Sequence, residues 1–209
     1  MKFEEQICRI KDKLNILKEA DLDYEIFGSG THEYNLNPTK TEEELIKFET
    51  ENQITLPEEY REFFLYVGNG GAGPYYGLEP LEHGREVDLD YISGKYLLDL
   101  SKPFQFTEPW NVEFEETDDD NYEEIEQQKI EKYYDNKFSN GLLRISNFGC
   151  GVRINIVVNG KEKGNIWVDD RTNGNGIFPD PYFDINEKIT FLDWYELWLD
   201  KSLKEKNIS

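Results

Sequence analysis

From Gly151 to Gly160 the chain alternates. Val152, Ile154, Ile156 and Val158 fall on one face, Arg153, Asn155 and Asn159 on the other, and Val157 is the apolar exception. A period of two marks a strand with one buried face. Leu142 to Phe148 precedes it across Gly149-Cys150-Gly151, a stretch suited to a tight bend, and Ile166-Trp167-Val168 follows it. Asn159-Gly160 begins the intervening turn, since that pair tolerates positive φ. The simplest arrangement is an antiparallel meander of two or three strands. Helical spacing takes over on either side. Phe3, Ile7, Ile10, Leu14 and Leu17 predict an amphipathic first helix that ends before Asp21. Thr41 with Glu44 reads as a capping box, with Leu45 and Phe48 on the buried side. Leu56-Pro57-Glu58-Glu59 opens a third helix with proline at the first helical position, and Tyr60, Phe63, Phe64 and Val67 form its apolar face. Near the end, Thr190 caps a helix with Asp193 as its acidic partner. Its stripe of Phe191, Trp194, Tyr195, Trp198 and Leu199 reads as the cover of the sheet. Trp167, Trp194 and Trp198 are all expected in the core.

Shorter features are less regular. Gly28-Ser29-Gly30 reads as a turn, Leu78 to Leu81 as a short strand, and Tyr96 to Leu100 as a strand or short helix. A helix running to Tyr134, capped by Asp120 or Asn121, would place Tyr122, Ile125, Lys129 and Tyr133 on one side. The whole is an α+β fold over 1–209 as one domain. Residues 1–40 form a helical extension, and 103–128 an acidic insertion.

Charge changes this picture most. The 209 residues carry a formal net charge of −21. Such a field repels nucleic acid and anionic membranes over a Debye length of ~8 Å and attracts basic partners. It also serves simple solubility. Pro103 to Gln128 contains no basic residue. The expected partner-binding surface is the acidic run with its flanking aromatics: Glu108, Trp110, Glu113, Glu115, Glu116, Asp118, Asp119, Asp120, Tyr122, Glu123 and Glu124. Like charges this dense disfavour burial, so the run is expected to face water. A solvated insertion without a partner is the alternative. No apolar run reaches the ~18 residues of a membrane span. The acidic start of the chain differs from a signal peptide, so a cytoplasmic location with Cys8 and Cys150 as free thiols is expected.

The search for chemistry finds no nucleophile motif, no H-E-x-x-H and no cysteine pair at zinc spacing. No catalytic residue, cofactor or metal is expected. Gly68-Asn69-Gly70-Gly71-Ala72-Gly73 matches the letters of a dinucleotide fingerprint, but a helix precedes it where a strand is required. It reads as a helix stop and loop that brings Pro74 to Tyr76 back against the core. Asp169 to Gly174 fails as a calcium loop because Arg171 occupies the third position, and reads as a turn. Paired carboxylates, which would suit a hydrolase, arise by chance in so acidic a chain.

Three pieces in order resemble the N-terminal signature of the SUKH superfamily: Phe48-Glu49, then Ile54 to Leu65 (Ile-Thr-Leu-Pro-Glu-Glu-Tyr-Arg-Glu-Phe-Phe-Leu), then Val67 to Pro74. Ile145 to Gly151, Val158-Asn159-Gly160, Gly164 to Trp167 and the Phe191 to Leu199 helix are similar to its second half. The resemblance spans Thr41 to Pro80 and Gly141 to Leu203, and the acidic stretch between the blocks departs from it. It implies a twisted antiparallel sheet with N-terminal helices and a C-terminal helix packed around it, and a binding role instead of catalysis. That superfamily contains bacterial immunity proteins and a yeast regulator of cell-wall synthesis. The resemblance therefore implies a cognate toxin domain, such as a nuclease or another basic protein, as partner. The alternative is a scaffold or regulator of cell-wall or glucan synthesis.

Overall fold

The computed structural model describes residues 1–86, 97–112, 122–181 and 188–208, with the side chains of all of these except 122–127. Strands β1 (Leu142–Gly149), β2 (Val152–Val157), β3 (Ile166–Asp170) and β4 (Gly176–Pro179) lie side by side in chain order, each antiparallel to the next. The expected meander is present and runs one strand further than the alternation alone predicted. Its helices in chain order, among the described residues, are α1 (Glu4–Ala20), α2 (Ser29–His32), α3 (Glu42–Asn52), α4 (Glu58–Tyr66), α5 (Tyr122–Tyr133) and α6 (Phe191–Glu205). The fold class is α+β.

The alternation places Leu143, Ile145, Ile154, Ile156, Ile166 and Val168 in one continuous core with the apolar faces of α1, α4 and α6. The opposite face is covered as well. Leu142, Val157, Trp167 and Ile177 pack there with Phe104 in a second cluster. This is the reason for the apolar exception at Val157: both faces of β2 are buried at that end. Trp194 and Trp198 lie in the first core as expected, while Trp167, equally buried, belongs to the second.

Local chemistry accounts for the helix ends. Thr41 Oγ1 accepts from the Glu44 N–H and Glu44 returns a carboxylate to the Thr41 N–H, completing the capping box. Pro57 sits one residue earlier than expected, as the N-cap of α4 with extended ψ, because a proline ring fits equally well where no N–H is needed. At α6 the helix begins at Phe191, but Thr190 donates to Asp193 at 3.4 Å and caps no N–H. The Leu192 N–H is met by Glu59 Oε2 at 3.1 Å, so the start of α4 caps the start of α6. α1 lies along α6, and Gln6, Arg9 and Lys13 all bind Glu196.

Three other expectations change. Gly28 to Gly30 is not a simple turn: Gly28 at φ +80 leads into the single helical turn α2. Leu78 to Leu81 is not a strand. Leu78 makes isolated bridges to Gly71 and Ser146, and Pro80 then directs Leu81–His83 into a 3-10 turn whose first N–H is held by Asn69. Leu97 to Leu100 is neither strand nor helix, although Leu98 and Leu100 are buried. Tyr96 and the proposed caps Asp120 and Asn121 lie outside the described residues, as do the side chains of Tyr122 and Ile125. Cys8 and Cys150 are free thiols, and no described helix is long and apolar enough to cross a membrane.

Candidate functional site

Of the acidic segment, Glu113, Glu115, Glu116, Asp118, Asp119 and Asp120 lie outside the described residues, as do the side chains of Tyr122, Glu123 and Glu124 at the start of α5. Its two flanks are well defined. Glu108 is exposed. Trp110 exchanges both backbone hydrogen bonds with Ile177 at 2.8 Å, extending the β4 edge by one residue. Its half-buried ring packs 4.4 Å from Phe138 and 5.0 Å from Phe106, centroid to centroid, against the second cluster. Trp110 is thus built into the fold, with part of its ring still exposed.

The returning flank is held by Arg171, the residue that disqualified the calcium loop. Its guanidinium makes two bonds to the Asp169 carboxylate, at 2.8 and 2.7 Å, and donates to the carbonyls of Tyr133 and Asp135 and to Ser139 Oγ. Both partners are buried. Burial opposes the charge of Asp169, but the hydrogen bonds and field of Arg171, with help from Arg153 and Ser139, hold its carboxyl below the usual range. Tyr133 also stacks 5.7 Å from Trp110 and donates to Asn111 Oδ1. The two flanks of the acidic segment therefore meet on one edge of the sheet.

A second surface was not anticipated. Phe27 and Tyr76 come from two separate loops and Phe148 from the end of β1, and the three stand half-exposed beside one another. Each is followed by a glycine with positive φ: Gly28 at +80, Gly77 at +97 and Gly149 at +100. A Cβ on Gly28 would lie 1.8 Å from the Tyr75 carbonyl oxygen, and one on Gly149 3.1 Å from the Tyr76 ring. Only glycine lets these loops approach so closely. The recurring aromatic-glycine pair was therefore a legible signal. Tyr76 was expected against the core, but it is Tyr75, at φ +58, that turns inward. The Tyr75 hydroxyl donates to the buried Asp180, 3.2 Å away, which also accepts from Trp194 Nε1 at 2.7 Å. Beside Phe148 a groove of about 340 Å³ opens between Tyr75, Val152 and Phe178, with Asp170 and Asp180 among its lining.

This arrangement offers stacking surfaces and carboxylates, the equipment of recognition. Among the described residues no group of three or more His, Cys, Asp or Glu side chains is placed to hold a metal ion. Residues 40–196, which include both strand-borne faces of the groove, match the model of the SMI1 / KNR4 family (SUKH-1). The chain belongs to this family. No curated protein and no solved structure matches it. Within this SUKH-1 chain, Tyr76 and Phe148 lie inside the matched region and Phe27 lies outside it. The aromatic surface is therefore assembled from the matched region and from residues that precede it.

Proposed function

We propose that this SUKH-1 protein is a non-enzymatic immunity protein that binds a cognate toxin domain and neutralises it. The observation that carries the reading is the family match over residues 40–196, in a family whose members are commonly immunity proteins. The net charge of −21 supports a basic partner, such as a nuclease that must itself attract phosphates. Opposite charge speeds encounter by ~10- to 1000-fold, an advantage to a protein that must intercept a toxin quickly. In this reading the acidic segment from Glu108 to Glu126 provides the attraction. A regulator of cell-wall synthesis is the competing role, and genomic context separates the two. The deciding experiment is co-expression with the C-terminal domain of the protein encoded by the neighbouring gene. Restored growth and a stable complex are expected. Unrestored growth, with the domain toxic and both proteins expressed, overturns the immunity role.

A further inference from the structure

The rings of Phe27, Tyr76 and Phe148 form a contiguous surface. Phe27 lies 5.2 Å from Tyr76 and 5.8 Å from Phe148. They are 52%, 43% and 44% exposed, whereas Phe63, Phe64 and Phe191 are sealed in the core. Single apolar residues on a surface need no explanation, but a touching group of aromatics does. The backbone beneath them is also strained. Tyr24, Tyr75 and Cys150 all hold positive φ, at +54, +58 and +51. Left-handed conformations of this kind in bulky residues gather where display of a side chain matters more than local comfort.

The electrostatics of this surface are predominantly negative, and the lysines that reach its first loop are engaged there, Lys206 with Asp21 and Glu25 and Lys18 with Asn35. Residues 21–38, 66–84 and 145–152, the segments that build it, contain no lysine or arginine. Asp23 and Glu33 stand exposed on the first of them. The adjoining groove places Asp170 and Asp180 beside apolar walls from Phe148, Val152 and Phe178. Nearby Arg171 is committed to Asp169. A surface of aromatic faces bordered by carboxylates suits a flat cation with an apolar stem. Arginine meets that description better than lysine, because its guanidinium stacks on rings and forks onto carboxylates together. A nucleic acid or an anionic membrane would meet only repulsion here.

We propose that Phe27, Tyr76, Phe148 and the adjoining groove form the docking surface for a basic segment of a protein partner, with an arginine side chain laid across the rings. The inference rests on the reading of the chain as a binding protein and specifies the chemistry of its partner. It differs from the acidic segment in kind: the segment attracts from a distance, and the aromatic surface makes the contact.

The test uses a blocked peptide of arginines spaced by leucines, with lysine and glutamate versions as comparisons, titrated into the labelled full chain and followed by NMR. The ring signals of Phe27, Tyr76 and Phe148 are expected to move saturably with the arginine peptide, less with lysine, and not with glutamate. The double variant Phe27→Ser, Phe148→Ser is expected to weaken binding by about tenfold or more with an unchanged melting temperature. If that variant misfolds, Phe27→Leu, which keeps apolar area but removes a stacking face, is expected to weaken the arginine peptide selectively. Unmoved ring signals, an equal response to the glutamate peptide, or the same rings moving with phosphatidylserine vesicles would overturn the proposal. Growth rescue separates this inference from the function itself. Rescue by the serine variant as complete as by the parent removes the surface and leaves the immunity role. Peptide binding without any rescue does the reverse.

Discussion

Gly70 has φ +83, and a Cβ there would meet the Leu78 carbonyl oxygen at 2.7 Å and the Glu79 backbone at 2.8 Å. Gly70→Val therefore forces both a left-handed β-branched residue and a displaced loop. A loss on the order of 1–3 kcal/mol is expected, read as a lower urea midpoint. The parent is expected to show no saturable binding of ATP or NAD, since the loop is packed against residues 35–37 and 78–79 by backbone hydrogen bonds. His32 gives a pH test. Burial beside Tyr34 and Trp198 pushes it down to about 4, against a smaller opposing pull from the Gly73 backbone. The unfolded chain protonates this histidine near 6.5 and the folded chain does so only near 4. Between those values the unfolded state holds more protons, so its share of stability is full above about 6.5 and falls as pH drops towards 4. The loss approaches ~3 kcal/mol at most, at ~1.4 kcal/mol for each unit of pKa difference. Urea midpoints at pH 7 and pH 4.5 should differ less for His32→Gln than for the parent, whose midpoint falls at the lower pH. Equal pH dependence of the two proteins would remove His32 as the cause. Sequence alone did not mark this histidine, because its burial depends on α6, more than 150 positions further along the chain.

Among the elements, α6 was the most legible, since five apolar residues at helical spacing have only one way to be buried together. Trp194→Ala is expected to cost about 3–5 kcal/mol, because it empties a fully buried site and removes the indole donor to Asp180. Trp194→Phe keeps most of the volume and should cost less, and the difference between the two melts measures the void. The second face of the sheet was harder to read. Leu142, Val157, Trp167 and Ile177 sit one per strand, and Phe104, which joins them, arrives from a region with no periodicity. The Arg171–Asp169 pair was illegible for a related reason. Two residues apart in a turn, they looked like surface charges, and only the return of Tyr133, Asp135 and Ser139 makes them buried. Arg171→Met strands a buried carboxylate and should cost about 3–5 kcal/mol by chemical denaturation. Replacing Asp169 by Leu in the same chain should recover much of that loss, because the pair is then removed as a whole.

At the scale of the whole molecule, the ordered glycine and aromatic pieces announced the family, and the net charge of −21 is the ground for proposing a basic partner, but neither located a contact surface. Neutralising Asp118, Asp119 and Asp120 to Asn should leave the melting temperature unchanged or slightly higher. With a cognate partner in hand, the triple variant should associate more slowly and with a flatter dependence on salt. Equal rates and slopes in stopped-flow measurements would leave the segment with no part in attraction. Whatever that outcome, the clasp between Trp110 and Tyr133 has a consequence for how such a protein can change. The rings of Trp110 and Tyr133 are held 5.7 Å apart, one residue riveted to Ile177 and the other to Arg171. Loop-closure entropy rises slowly with length, by ~0.6 kcal/mol per doubling, once the two ends of a segment are fixed. Fixed ends of this kind let the sequence ahead of α5 change in length at a small entropic cost to the frame.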